Sequence, residues 1–167
     1  MHPARQPAPF SRRMVLMDLA ETAGFARRLG PCLRAGDVVA LYGDLGAGKT
    51  AFARALIQGL QARGGAVEEV PSPTFSLVQQ YEIGGLLLWH FDLYRLTGPQ
   101  DAYELGIDEA LAEGVSLIEW PDRLGELLPG GRLSLYFEIP GDTGPSGEKR
   151  LLCMEGTLDW GERLQHV

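Results

Sequence analysis

Apolar positions along this chain follow two different periods in alternation. Val38-Val39-Ala40-Leu41 is a short unbroken apolar run, suited to a strand buried on both faces, and it ends at Tyr42. Residues 50–61 contain no proline and carry Phe52, Leu56 and Leu60 at helical spacing, with Gly64-Gly65 as a stop. Upstream, Asp18 and Glu21 make an N-cap and capping box for a helix that points Leu19, Ala23, Ala26 and Leu29 inward and ends near Gly30-Pro31. Downstream, residues 75–81 and 86–91 predict two strands joined by the tight turn Ile83-Gly84-Gly85-Leu86. Residues 99–113 predict helix, divided at Gly106, and Val115–Glu119 predicts another short buried strand. A weaker hairpin follows, 133–139 against 150–155 across a loop rich in Gly and Pro. Its charges read as a solvated surface, with Arg150 alone singled out, weakly, for chemistry.

The segment between the first buried strand and its helix changes the picture most. Gly43-Asp44-Leu45-Gly46-Ala47-Gly48-Lys49-Thr50 reads G-x-x-x-x-G-K-T. Glycines let a backbone turn tightly and aim its N–H groups at phosphate oxygens. The lysine brings a compact ammonium to the β/γ-phosphates, and the threonine hydroxyl ligates Mg²⁺. Lysine is otherwise scarce: only Lys49 and Lys149 occur among 15 basic residues. Strand, glycine loop and helix stand in the order that points loop amides and helix N-terminus at one anion. A nucleoside triphosphate site follows. The expected fold is α/β, a P-loop NTPase-like three-layer arrangement with a mixed, mostly parallel central sheet and helices on both faces.

Topology then gathers further candidates. If residues 86–91 lie parallel to Val38–Tyr42, their C-terminal end brings Asp92 to the phosphate-loop edge. A helical crossover returns the chain to a third parallel strand, whose end brings Glu119 to the same edge. Ser72-Pro73-Thr74 precedes a strand antiparallel to 86–91 and also falls there. Asp92 and Glu119 compete for one role: either holds Mg²⁺ while the other orients the attacking water. Thr74 reads as a hydroxyl that senses the γ-phosphate, or as part of a rigid turn between prolines. His90 shares a strand face with Asp92 and reads equally as packing. Arg95 either supplies positive charge in cis or pairs with a surface acid.

Composition bounds the class. With 167 residues, 45% apolar and 22% charged, the chain predicts one domain over 14–167, with 1–13 as a mobile tail or, less favoured, an organellar presequence. No membrane span or secretory signal is expected, which predicts a cytoplasmic protein. Cys32 and Cys153 read as two unpaired thiols. A net charge of −7 without a large basic cluster argues against direct nucleic-acid binding. The chain has no asparagine, so an N-K-x-D guanine-reading box is excluded.

Taken together, the motifs resemble the TsaE family, the small ATPase of bacterial threonylcarbamoyladenosine tRNA modification. The matching pieces run over about residues 16–140: Gly36-Asp37-Val38-Val39, Leu41 to Thr50, Ser72-Pro73-Thr74-Phe75-Ser76-Leu77-Val78, His90 to Leu96, Glu104-Leu105-Gly106 and Ile118-Glu119-Trp120-Pro121. The family commonly has a second threonine where this chain has Ala51, and a glutamate where it has Asp122. The resemblance implies a subunit that binds ATP and Mg²⁺ and docks on a protein pair of the TsaB–TsaD type. That pair transfers a threonylcarbamoyl group to the adenosine beside the anticodon, so tRNA is met only indirectly. It implies ATP hydrolysis that supports the pair's turnover, slow in the chain alone because no arginine finger is evident, with Lys49 and Thr50 on phosphate and Mg²⁺, Glu119 as a further metal candidate, Asp92 as a Walker-B-type acid, and Trp120 near the nucleotide. Two other functions remain open at this point: a nucleotide-gated docking module without productive turnover, and a small-molecule kinase with Asp92 as base.

Overall fold

A computed structural model describes residues 7–167. Along the chain come β1 (Phe10–Leu16), α1 (Leu19–Leu29), β2 (Val38–Tyr42), α2 (Lys49–Gly64), β3 (Val78–Ile83), β4 (Leu86–Asp92), α3 (Asp101–Glu104), α4 (Ile107–Glu113), β5 (Val115–Glu119), β6 (Leu133–Glu138), β7 (Arg150–Gly156) and α5 (Leu158–Arg163). The strands form one sheet in the order β1-β7-β6-β2-β5-β4-β3. Its four central strands are parallel: β2 pairs with β5 and β6, and β4 with β5. β3 closes one side antiparallel to β4, and β7 and β1 extend the other side antiparallel. This is the α/β P-loop architecture expected from the strand–loop–helix pattern.

Two cores flank the sheet. On one face Phe25 and Leu29 of α1, Phe52, Leu56 and Ile57 of α2 and Trp160 of α5 pack on Val39, Leu41, Leu117 and Leu135. On the other, Ala102, Ile107 and Ala110 of α3 and α4 pack on Val38, Trp89, Phe91 and Ile118. Neighbouring positions of β2 and β5 thus feed opposite cores, which is why those strands read as unbroken apolar runs. Each fully buried side chain of this size contributes about 1.5–3 kcal/mol.

Several boundaries move, each for a local reason. The part of the expected tail at residues 1–6 lies outside the described residues, but Phe10–Arg13 belong to β1. The two arginines masked a period of two. Arg12 takes an inward position beside Phe10, Met14 and Leu16 and donates to the carbonyls of Val167 (2.9 Å) and Leu164 (3.0 Å). α1 has its predicted cap, with Glu21 N–H on Asp18 Oδ1 at 2.8 Å, but buries Thr22, Phe25, Ala26 and Leu29. Leu19, expected inside, is 50% exposed. Phe25 sets that face by packing on Phe52, ring centroids 5.8 Å apart. β3 begins at Val78 instead of residue 75, because Leu77 donates back to Pro73 O (2.7 Å) and adopts φ 67°, a turn that a strand cannot contain. Phe75 is left 80% exposed.

Candidate functional site

The parallel register sets the site. Asp92 at the end of β4 is the pairing partner of Glu119 at the end of β5, and Glu119 pairs with Leu41 of β2. Both carboxylates therefore stand beside the loop that leaves β2. That loop depends on glycine at two positions. Gly43 has φ 148°, and a Cβ there would meet Phe137 O at 2.6 Å. Gly48 caps α2 in the left-handed region, at φ 105°. α2 begins at Lys49, so its unpaired first-turn N–H groups open on the loop.

Lys49 is buried at this junction. Its Nζ donates to Gly43 O and to Asp44 O (3.2 Å) and lies 3.9 Å from the centroid of the Trp120 ring. Burial lowers its pKa below the ordinary lysine range, while Glu119, Asp92 and Asp44 pull it back up. Trp120 follows Glu119 directly and holds a left-handed backbone, φ 57°, which costs a non-glycine residue about 1–3 kcal/mol. The surroundings sustain that strain: the Tyr94 ring packs against the indole at 4.9 Å between centroids, and the indole lies against the ammonium.

The oxygen groups form two connected sets. Thr50 Oγ1 donates to Glu119 Oε1 at 2.7 Å, and Glu119 Oε2 accepts from His90 Nε2 at 2.8 Å. A carboxylate only accepts, so Nε2 carries the proton of this hydrogen bond. His90 Nδ1 is buried and has no partner among the described residues. In the second set, Thr74 Oγ1 donates to Asp92 Oδ2 at 3.3 Å, Ser72 Oγ lies 2.7 Å from Thr74 Oγ1, and Tyr94 N–H donates to Asp92 Oδ1 at 3.1 Å. Leu77 O accepts from Asp92 N at 2.9 Å, tying the 72–77 turn to the same acid.

Thr50, Glu119, Thr74 and Asp92 face a cavity of about 360 Å³, a size suited to a small-molecule ligand. Leu45, Gly46, Gly48, Lys49, Thr50, Thr74, Asp92, Glu119 and Trp120 line it, while Gly43, Asp44 and Ala47 shape the loop from outside the lining. Among the described residues no three of His, Cys, Asp and Glu make a ready metal cage. Magnesium is usually held by one or two carboxylates together with phosphate oxygens. The all-oxygen set of Thr50, Glu119 and Asp92 fits that requirement.

Other sequence-singled residues sort differently. His90 belongs to the site through Glu119. Arg95 is exposed, and its guanidinium lies 4.6 Å from the Phe75 ring instead of in the cavity. Four lining residues were not anticipated as such: Leu19, Thr22, Tyr94 and Glu148. Arg150, only weakly marked in the sequence, also lines the cavity, so the β6–β7 hairpin is part of the site and not merely solvated surface. No local signal announces Glu148, because a hairpin has to close before its loop meets the glycine loop.

Comparison with known proteins places this geometry. The family model described as threonylcarbamoyl adenosine biosynthesis protein TsaE matches residues 16–161, beyond the end near residue 140 expected from the motifs. The tRNA threonylcarbamoyladenosine biosynthesis protein TsaE of Rickettsia felis is 39% identical over 126 residues, covering 75% of this chain and 72% of that protein. The protein of that name in Bacillus subtilis is 36% identical over 143 residues, 81% and 87% of the two chains. The one in Treponema pallidum is 37% identical over 131 residues, 78% and 93%. The crystal structure of Bacillus subtilis YdiB matches with a TM-score of 0.72 at 29% identity, covering 93% of each chain. No helix among the described residues is long and apolar enough to cross a membrane. With the loop, the strand order and the family match in agreement, this chain belongs to the TsaE family of tRNA threonylcarbamoyladenosine biosynthesis proteins.

Proposed function

We propose that this chain is an Mg²⁺-dependent ATP-binding and ATP-hydrolysing subunit that supports threonylcarbamoylation of the adenosine beside the tRNA anticodon. It acts through a partner transferase pair of the TsaB–TsaD type and touches tRNA only indirectly. Membership of a P-loop family in this pathway implies nucleotide binding and partner proteins. One observation carries the finer reading: Lys49, Thr50, Thr74, Asp92 and Glu119, drawn from separate segments, converge on one cavity.

The residues divide the work. Residues 43–48 and the N-terminus of α2 offer N–H groups to the phosphate chain, and Lys49 neutralises its terminal part. Thr50 and Glu119, already hydrogen-bonded to each other, would hold the metal, and His90 keeps Glu119 oriented. Asp92 faces them across the parallel pair and orients water or the metal's hydration shell, with Thr74 connecting it to the 72–77 turn. Trp120 walls the ammonium from solvent. When bound, Mg²⁺ would supply neutralisation of the negative charge on the phosphate chain. An overall charge of −7 suits a subunit that works through proteins more than along RNA.

The deciding measurement is ATP hydrolysis by the purified chain alone and with the two candidate partners from the same organism. Slow hydrolysis alone and stimulation by the pair is the expected result. Absence of both stimulation and co-purification refutes the partner reading. Label transfer from the γ-phosphate to a metabolite instead of water would establish a kinase. ATP-dependent docking with no turnover would establish a nucleotide-gated module.

A further inference from the structure

The phosphate-binding loop is flexible by composition. Gly43, Gly46 and Gly48 all have positive φ, and glycine gives up more conformational freedom on ordering than any other residue. Its carbonyls are nevertheless held from two sides. Inside, Lys49 Nζ holds Gly43 O and Asp44 O. From the hairpin, Arg150 Nε donates to Ala47 O at 3.1 Å and Nη2 to Gly46 O at 3.1 Å, across 103 and 104 residues of sequence. The same guanidinium donates through Nη1 to Gly147 O (3.0 Å) and Lys149 O (2.8 Å). It therefore joins the end of the β6–β7 hairpin loop to the tip of the phosphate loop.

We propose that Arg150 is a positioning residue for the phosphate-binding loop, clamping Gly46 and Ala47 so that the loop keeps its anion-binding shape. A trans peptide is planar, so fixing the Ala47 carbonyl toward Arg150 also fixes the Gly48 N–H in the opposite direction. This inference rests on the nucleotide reading of the site. Under that reading the inner restraint is temporary, because Lys49 must leave the Gly43 and Asp44 carbonyls to meet phosphate. Arg150 bonds a different pair of carbonyls, so its restraint persists while Lys49 moves. The planar fork matters more than the charge: a lysine at this position has one nitrogen and cannot span Gly46, Ala47 and the hairpin at once.

The test uses Arg150→Lys and Arg150→Gln in the full-length protein, with two readouts. The first is amide hydrogen exchange of residues 44–50 without nucleotide. Both variants should speed exchange there roughly tenfold or more, with β2 and β5 protection unchanged. The second is MgATP affinity by calorimetry, which should fall roughly ten- to a hundredfold in both. Unchanged loop exchange in both variants overturns the clamp. Wild-type behaviour of Arg150→Lys alone also overturns it, since charge and not geometry would then suffice. Uniform loss of protection through the core would make Arg150 an architectural residue and likewise refute the proposal. If the wild-type protein binds no MgATP, the nucleotide reading fails by itself, and the exchange measurement still decides the clamp.

Discussion

Glu119 can be separated into a structural and a chemical contribution by two substitutions. Its side chain is 2% exposed and accepts two hydrogen bonds, from Thr50 Oγ1 at 2.7 Å and from His90 Nε2 at 2.8 Å. In Glu119→Ala both donors lose their partner. Thr50 is half-buried and can turn to water, but His90 is fully buried and its other nitrogen already has no partner. A stranded buried donor costs about 1–3 kcal/mol. Lys49 also loses a nearby counter-charge, so the sum is roughly 3–5 kcal/mol, a large part of a typical domain's stability. Glu119→Gln keeps the acceptor for Thr50. Its amide can donate to His90 Nε2 once the imidazole proton moves to Nδ1, and the expected cost is only about 1–2 kcal/mol. The chemistry should rank differently. An amide oxygen is a weak ligand for a hard cation, so Glu119→Gln should retain nucleotide but lose most Mg²⁺-dependent hydrolysis. Urea unfolding followed by tryptophan fluorescence gives the first ordering, and Mg²⁺ titration of ATP turnover gives the second. Equal destabilisation by Ala and Gln would refute the bridging role of the carboxylate. Wild-type turnover at wild-type Mg²⁺ demand in Glu119→Gln would remove it from the metal site.

Three further outcomes are expected. Lys49→Ala should keep the fold by circular dichroism while losing ATP-dependent support of tRNA modification; an active Lys49→Ala protein would contradict the assignment of the loop. Arg163 holds the C-terminal helix through Asp37 and the Cys32 carbonyl, with its guanidinium 4.0 Å from the Trp160 ring. Arg163→Ala breaks a partly buried ion pair and its hydrogen bonds, so a loss of about 1.5–3 kcal/mol and a fall in Tm of roughly 5–10 °C are expected by calorimetry. Tyr81 has a buried hydroxyl with no partner among the described residues, and burial raises its pKa above 10.0, opposed by Arg54. Its folded value exceeds its unfolded one, so the stability from the neutral phenol is complete below pH 10 and is lost as pH rises through the folded value. Tyr81→Phe should be within about 1 kcal/mol of wild type at pH 7 and gain on it above pH 10 in urea titrations; parallel pH profiles would refute this.

Much of the site was legible because its signals are local. A glycine loop between an apolar strand and a helix is written in eight consecutive residues, and strand-end acids such as Asp92 and Glu119 are recognisable from the apolar runs before them. The turn at Leu77 was missed because a non-glycine residue with positive φ leaves no mark in composition. The β1 strand was missed because Arg12 stands inward, where an apolar residue would have revealed the period. The inner face of α1 was misread by choosing Leu19 over Phe25, and only packing on Phe52 decides between them.

What the sequence by itself determined is the phosphate loop, the lysine and threonine that close it, and an α/β order of elements that brings two carboxylates to one edge. Backbone geometry and side-chain periodicity act over a few residues, so they are readable without the fold. The tertiary structure alone decided which groups bond to which. It paired His90 with Glu119 across adjacent strands and seated Trp120 over Lys49. It also brought Arg150, more than a hundred residues downstream, against Gly46 and Ala47. Those partners depend on strand register and hairpin closure, which are set by the whole core and by no short segment of it.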